Sequence, residues 1–159
     1  MSPHEPEHPF PDRPIHLPMS GPPPTDKIPE AVFTSMGEEN IMAFAKAFYR
    51  RLHASPVAAL FPKSEAVMDK ASEKTGALFV FLFGGPHLYQ QQHGSPRMRM
   101  RHMPFQIGPK ARDEWMRCLI ETLEEAPQQF AMPAEHVPAI ITFFEAFSGW
   151  MVNAQDDVF

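Results

Sequence analysis

The sequence contains little cysteine and no long apolar run, and both absences exclude whole classes of protein. Its single cysteine, Cys118, cannot form an internal disulfide and lies in an apolar helical pattern, which is typical of a buried free thiol in a reducing compartment. No apolar stretch reaches the roughly 18 residues that span a bilayer, and the N-terminus lacks the basic and then apolar order of a secretion signal. We therefore expect a cytoplasmic protein with no membrane partner.

Positive charge is also in short supply. The 14 lysines and arginines are outnumbered by 19 aspartates and glutamates, which gives a formal net charge of −5 at pH 7. Such a chain has no general attraction to polyanions, so nucleic acid is excluded as an expected partner. With 159 residues, of which 43% are hydrophobic and 21% are charged, the chain has the size and composition of one globular domain.

Proline, by contrast, is abundant and unevenly placed. Ten of the 19 prolines fall between Pro3 and Pro29, where they stop helix and strand from propagating because proline lacks the amide hydrogen. The sequence predicts a proline-rich extended or disordered tail over residues 1–28, to which no function is assigned, and a folded domain over residues 29–159. A metal site in the tail is an alternative, but solvated side chains are the favoured interpretation of its three scattered histidines, which are His4, His8 and His16.

Beyond the tail, apolar residues recur at offsets of three and four without the two-residue alternation of strands, so we expect an all-α fold. The spacing predicts long helices over residues 38–53, 64–83 and 109–125, and from Pro133 onward. The second of these carries one continuous stripe, formed by Val67, Ala71, Thr75, Leu78 and Leu82. Residues 84–109 should be mostly loop, with one short helix over residues 97–102. Such a layout leaves room for a flat apolar group between the helices.

His102 ends a segment in which arginine and methionine alternate, RMRMR over residues 97–101. One interpretation is a partly buried imidazole ligand beside cations that pair with the acidic groups of a cofactor, since arginine binds carboxylates through paired hydrogen bonds. The other is a solvated basic loop, and the pattern taken alone favours this second interpretation.

The surroundings of His102 reverse that preference. The sequence reads GGPHLY over residues 84–89, HGSPRMRMRHMPFQIG over residues 93–108 and RDEWMRC over residues 112–118. In order and spacing these segments closely resemble the signature of group II truncated haemoglobins. The resemblance implies a two-over-two helical sandwich around haem b, in which His102 is the proximal ligand of the iron.

The same resemblance implies roles for further residues. Arg101 and Arg99 are expected to reach the haem propionates. The alternative histidines, His87 and His93, lie beside glycine turns and are expected to be exposed.

On the distal side, the resemblance aligns Tyr49 with a tyrosine whose hydroxyl donates to bound dioxygen, and Trp115 offers a second donor through its indole N–H. Ala71 falls where many globins carry a distal histidine, and Thr75 follows one turn later. The rest of the expected haem pocket is aromatic and aliphatic, and it consists of Phe48, Phe61, Leu78, Phe105 and Ile107.

The function that the resemblance implies is reversible binding of dioxygen and other diatomic ligands. Oxidation of nitric oxide or reduction of peroxide is a further activity of such globins, so the sequence leaves open whether the protein is an enzyme. A haem-based gas or redox sensor acting through a protein partner is the alternative, and an all-α interaction module without cofactor is a third. A reductase and a second copy of the chain are the candidate protein partners.

Overall fold

The structure, a computed structural model, describes residues 11–23, 28–61 and 64–159, and all regular elements within these ranges are helical. The all-α prediction is therefore confirmed for the described chain. Within these ranges six α-helices follow one another, with 3₁₀ turns at Pro56–Leu60 and Ala134–His136. They are α1 (Ala31–His53), α2 (Glu65–Leu82), α3 (Leu88–His93), α4 (Met98–His102), α5 (Pro109–Gln129) and α6 (Val137–Met151).

The four long helices pack as two pairs, α1 with α2 and α5 with α6, and α1 also contacts α5. Their apolar faces meet in a core dominated by phenylalanine. Rings from three of the helices lie within 5.2 to 6.4 Å of one another, and these are Phe44, Phe48, Phe79, Phe83 and Phe144. Each buried phenylalanine contributes on the order of 2 kcal/mol by leaving water, so this cluster sets how the helices pack.

The first helix begins earlier than the apolar spacing predicts. It starts at Ala31, and Gly37 interrupts it with φ 75 and ψ 167, so the predicted helix over residues 38–53 is the part that follows this kink. Glycine adopts a positive φ without a steric penalty, which explains how one continuous element holds a bend there.

Two further boundaries differ from the prediction. Helix α3 was expected to be loop, and its six residues are too few to show a helical period. Helix α5 continues to Gln129 rather than ending at residue 125, and it contains Pro127 in its last turn. Pro127 has no amide hydrogen to donate to the Leu123 carbonyl, and the helix ends two residues after it.

Residues 11–23 contain no helix and lie against the domain, where the backbone N–H of His16 donates to the Asn153 carbonyl at 3.0 Å. Ile28 is already buried in the core. His4 and His8 lie outside the described residues, so the tail metal site stays untested there. Among the described residues no cluster of histidine, cysteine or carboxylate side chains could hold a metal ion. No helix in the described ranges is both long and apolar enough to cross a membrane.

Candidate functional site

A cavity of about 380 Å³ lies between α2, α5, α6 and the α3–α4 region, and its volume is in the range of sites for small molecules and cofactors. The stripe on α2 that the sequence predicts faces it, through Val67, Ala71, Thr75 and Leu78. Ala71 and Thr75 stay partly exposed because they border the cavity rather than the core. Most of the remaining lining is aromatic or aliphatic, so the site suits a flat apolar group.

His102 lines this cavity from the last position of α4. Its Nδ1 lies 2.6 Å from the Met98 carbonyl oxygen. Because a carbonyl can only accept, Nδ1 carries the proton and donates it, which leaves the Nε2 lone pair free. Burial lowers the pKa of His102, the bond to Met98 opposes this shift, and the charges of Lys74 and Arg101 lower the pKa further. The side chain is therefore a neutral imidazole, the form that ligates metals.

The long helices contribute a second part of the wall, which we call the helical wall and define by Tyr49 on α1, Thr75 on α2 and Trp115 on α5. The Tyr49 hydroxyl and the Thr75 hydroxyl share a hydrogen bond of 2.7 Å. Burial raises the pKa of Tyr49, and the bond to Thr75 offsets part of that shift, so the phenol stays protonated. Phe61 packs edge-on against Tyr49 with ring centroids 5.7 Å apart.

Positive charge gathers at the cavity without any acidic residue among those that line it. Lys74, Arg101 and Arg112 are the cations of the lining. Burial and the charge of Arg101 both lower the pKa of Lys74, so the two cations repel each other. The Tyr89 side chain is buried there, and its hydroxyl has no hydrogen-bond partner among the described residues. These groups are suited to receive carboxylates of a bound molecule.

Most of the residues predicted from the sequence come together in this cavity. Those that line it are Tyr49, Phe61, Ala71, Thr75, Leu78, Arg101, His102, Phe105, Ile107 and Trp115. Phe48 lies behind this lining, fully buried, with its ring 5.1 Å from that of Trp115. His87 and His93, the alternative histidines, are exposed and do not line the cavity.

Arg99 is the residue that the structure does not bring into the cavity. Its guanidinium donates to the backbone carbonyls of Trp150 at 2.6 Å, Val152 at 2.7 Å and His16 at 2.8 Å. These bonds direct it toward the C-terminal end of α6 and the N-terminal segment. The expectation that Arg99 reaches a haem propionate therefore does not agree with its position, whereas Arg101 does line the cavity.

Sequence reasoning also missed residues of the lining. Lys74 lies three residues after Ala71 on the same face of α2, so helical spacing could have identified it. Tyr89 lies in α3, which the sequence does not predict, and although it ends the quoted segment of residues 84–89, it receives no role there. Arg112 belongs to the motif of residues 112–118, where only the tryptophan was given a role.

Comparison with known proteins agrees with this architecture. The family model for bacterial-like globins matches residues 31–153. The chain belongs to the bacterial-like globin family. This globin is 30% identical over 94 residues to the group 2 truncated hemoglobin YjbI of Bacillus subtilis, a match that covers 59% of this chain and 70% of that protein. It is 26% identical over 98 residues to two-on-two hemoglobin-3 of Arabidopsis thaliana, which covers 60% of this chain and 55% of that protein.

Solved structures support the same assignment of the globin. Hell's gate globin IV, in a phosphate-bound crystal structure, superposes with a TM-score of 0.77 at 26% identity over 84% of this chain and 81% of that one. The hemoglobin of Chloroflexus aurantiacus gives a TM-score of 0.68 at 31% identity, covering 77% and 97% of the two chains. The truncated oxygen-avid haemoglobin of Bacillus subtilis gives 0.68 at 26% identity, covering 76% and 98%. The resemblance to group II truncated haemoglobins and the two-over-two fold are thereby confirmed.

Membership of this family implies a haem group and small diatomic ligands. The residues present in this globin fit a haem on three observations. A neutral imidazole with a free Nε2 borders the cavity, its cations have no acidic partner in the lining, and the buried Tyr89 hydroxyl has no partner among the described residues.

Proposed function

We propose that this globin is a haem b protein that binds dioxygen reversibly, with His102 as the protein ligand of the iron and Tyr49 and Trp115 as hydrogen-bond donors to the bound gas. The observation that carries the proposal is that one cavity is bordered by a neutral imidazole and by two side chains with O–H or N–H groups. The haem supplies the iron on which a diatomic ligand binds, and the protein supplies everything else.

The cysteine content supports haem b, the form of haem that has no covalent link to the protein. A c-type haem needs two cysteines in a C-x-x-C-H motif, and this sequence has one cysteine. Cys118 is buried on α5 and does not line the cavity. The group must therefore be held by the histidine, by apolar contact and by charge.

The role of His102 follows from its bond to the Met98 carbonyl. This bond fixes the tautomer and limits rotation of the ring, and it makes Nε2 a stronger donor of its lone pair. Arg101 and Lys74, which lack an acidic partner in the lining, hold the carboxylates of the haem. Binding these carboxylates also relieves the repulsion between the two cations.

Tyr49 and Trp115 act on the ligand. Because the pKa of Tyr49 is raised, its phenol keeps its proton and can donate it in a hydrogen bond. The indole N–H of Trp115 is a permanent donor. Each bond to a ligand that carries partial negative charge stabilises the complex by about 1 kcal/mol or more.

Hemin titration followed by absorption spectroscopy tests the proposal. We expect the wild-type protein to bind one hemin and to show a Soret band that shifts when the reduced protein meets dioxygen. His102→Ala should lose stable hemin binding, while His87→Ala and His93→Ala, which change exposed histidines, should match the wild type. A colourless wild-type protein would refute haem binding, and loss of hemin in His93→Ala alone would refute the ligand assignment. Stopped-flow mixing of the oxygenated protein with nitric oxide then measures whether the bound dioxygen is also consumed.

A further inference from the structure

Asn153, two residues beyond the end of α6, is completely buried and connects three parts of the chain. Its Nδ2 donates to the carbonyl oxygens of His102 at 3.2 Å and Phe105 at 3.0 Å. Its Oδ1 accepts from the backbone N–H of Ile107 at 3.0 Å and from the guanidinium of Arg13 at 2.9 Å. Every polar atom of this side chain thus has partners on segments far away in sequence.

Arg13 lies in the proline-rich N-terminal extension and extends these contacts. Its guanidinium donates to the carbonyl oxygens of Met103 at 3.2 Å, Phe105 at 3.1 Å and Asn153 at 3.0 Å. Together, Arg13 and Asn153 donate to the backbone carbonyls of His102, Met103 and Phe105. A planar guanidinium carries five N–H donors spread over three nitrogens, whereas an ammonium carries three on a single nitrogen.

A second connection lies next to the first. The backbone carbonyl of His16 accepts from Arg99 at 2.8 Å, and its N–H donates to the Asn153 carbonyl at 3.0 Å. The N-terminal segment over residues 13–16, which we call the clamp, therefore contacts both the helix that carries His102 and the chain that follows α6.

The segment that carries His102 cannot hold its conformation alone. We call residues 97–105 the histidine segment. Its helix, α4, has five residues, none of which belongs to the hydrophobic core, and such short helices are unstable without outside contacts. Arg97, which precedes α4, has φ 39 and ψ 52, a left-handed conformation that costs a residue other than glycine about 1 kcal/mol. Contacts from outside the segment must supply the stability that it lacks.

We propose that Arg13 is a positioning residue for the iron ligand: through Asn153 and the carbonyls after His102, the clamp fixes the direction in which the imidazole presents Nε2. This inference rests on the proposed role of His102. Arg13 lies outside residues 31–153, which the family model matches, so the device belongs to the N-terminal extension of this chain. The extension then has a function, which its sequence alone did not reveal.

The test compares Arg13→Ala, Arg13→Lys and a chain lacking residues 1–17 with the wild type. Arg117→Ala is the matched control, because Arg117 is an exposed arginine on α5 whose ion pairs, among the described residues, are with Glu114 and Glu121. Three quantities are measured: hydrogen exchange of peptides covering residues 97–107, the rate of hemin transfer to an acceptor globin, and the iron–histidine band in the resonance Raman spectrum of the reduced protein.

We expect all three clamp variants to exchange faster over residues 97–107 while α1, α2 and α5 keep their wild-type rates. Hemin transfer should accelerate roughly tenfold, as expected when a charge-assisted bond is lost, and the iron–histidine band should shift or broaden. Arg117→Ala should change none of these.

Unchanged exchange over residues 97–107 in Arg13→Ala would overturn the proposal. A uniform acceleration across all helices would do the same, because it would show general destabilisation. Wild-type behaviour of Arg13→Lys would show that charge alone suffices and would refute the guanidinium role. If the wild type takes up no hemin, the proposed function fails, while hydrogen exchange of the haem-free variants still decides whether the clamp orders the histidine segment.

Discussion

The helical wall and the histidine segment border the same cavity, yet they are held in place by different interactions. Tyr49, Thr75 and Trp115 project from helices of 18 or more residues whose other faces are buried among phenylalanines. The histidine segment has a five-residue helix with no residue in the hydrophobic core, and side chains from both ends of the chain bind its carbonyls.

This difference corresponds to the different requirements of the side chains that the two regions carry. Apolar packing is non-directional and tolerant, and it suffices for side chains that contact a small ligand. An iron ligand needs a defined direction, and hydrogen bonds to backbone carbonyls supply direction where packing is absent. Four substitutions, ordered from the largest expected effect to the smallest, test this contrast.

Asn153→Ala should have the largest effect. It leaves the Ile107 N–H without its partner and removes one of two donors from each of the carbonyls of His102 and Phe105, so we expect the free energy of unfolding to fall by about 3 kcal/mol. Asn40→Ala is the control, since Asn40 makes one bond within α1, to the Met36 carbonyl, and should cost less than about 1 kcal/mol. Urea unfolding of the hemin-loaded proteins measures both values. Equal losses of unfolding free energy in the two variants would contradict the view that hydrogen bonds of Asn153 hold the histidine segment in place.

Arg99→Gln and Arg101→Gln should separate two neighbouring arginines. Arg99 donates to three backbone carbonyls, so its loss should lower the free energy of unfolding by about 2 kcal/mol. Arg101 lines the cavity, so its loss should accelerate hemin release several-fold while changing stability less. Thermal unfolding and hemin transfer measure the two effects. The reverse pattern would show that Arg99, not Arg101, faces the haem.

Tyr49→Phe should accelerate dioxygen release about tenfold, which corresponds to about 1.4 kcal/mol, because it removes one donor and leaves the ring packing against Phe61. Its unfolding free energy should fall by no more than about 1 kcal/mol, since the hydroxyl loses one hydrogen bond, to Thr75, while the ring keeps its packing. Flash photolysis or stopped-flow measurement of the dioxygen release rate tests this prediction. An unchanged rate would assign the ligand bond to Trp115 alone.

The smallest expected effect is the change in stability with pH that ionisation of the two buried tyrosines causes. Burial raises the pKa of both Tyr49 and Tyr89, so each should be less than half ionised at about pH 10, where exposed tyrosine is half ionised. Because the folded state keeps the proton that the unfolded state loses, stability should fall as the pH rises past about 10. Ultraviolet difference spectra of wild type, Tyr49→Phe and Tyr89→Phe assign each step. Full ionisation near pH 10 would mean that the tyrosine is solvated.

The helical wall was largely predictable from the sequence. Periodicity located α2 and the face of it that carries Ala71 and Thr75, because a helical face repeats within one segment. The resemblance to group II truncated haemoglobins supplied the positions of Tyr49 and Trp115. Both kinds of information are local, and the structure brings these residues together at one cavity.

The support of the histidine segment was not predictable in the same way. Arg13 and Asn153 are 140 positions apart, and no periodicity or motif joins them. Helix α3 is too short to show a period, and the expectation that Arg99 reaches the haem rests on the family resemblance, which carries no information about its backbone partners. Hydrogen bonds between distant backbone groups leave no signal in a single sequence.

Chemical rescue of His102→Gly tests the central claim most directly. The wild type and the variant are each mixed with hemin, reduced and examined by resonance Raman spectroscopy with and without free imidazole. We expect the iron–histidine band of the wild type to be absent from the variant and an iron–imidazole band to appear when imidazole fills the space of the deleted side chain. A wild-type band that persists in His102→Gly without imidazole would show that another residue ligates the iron.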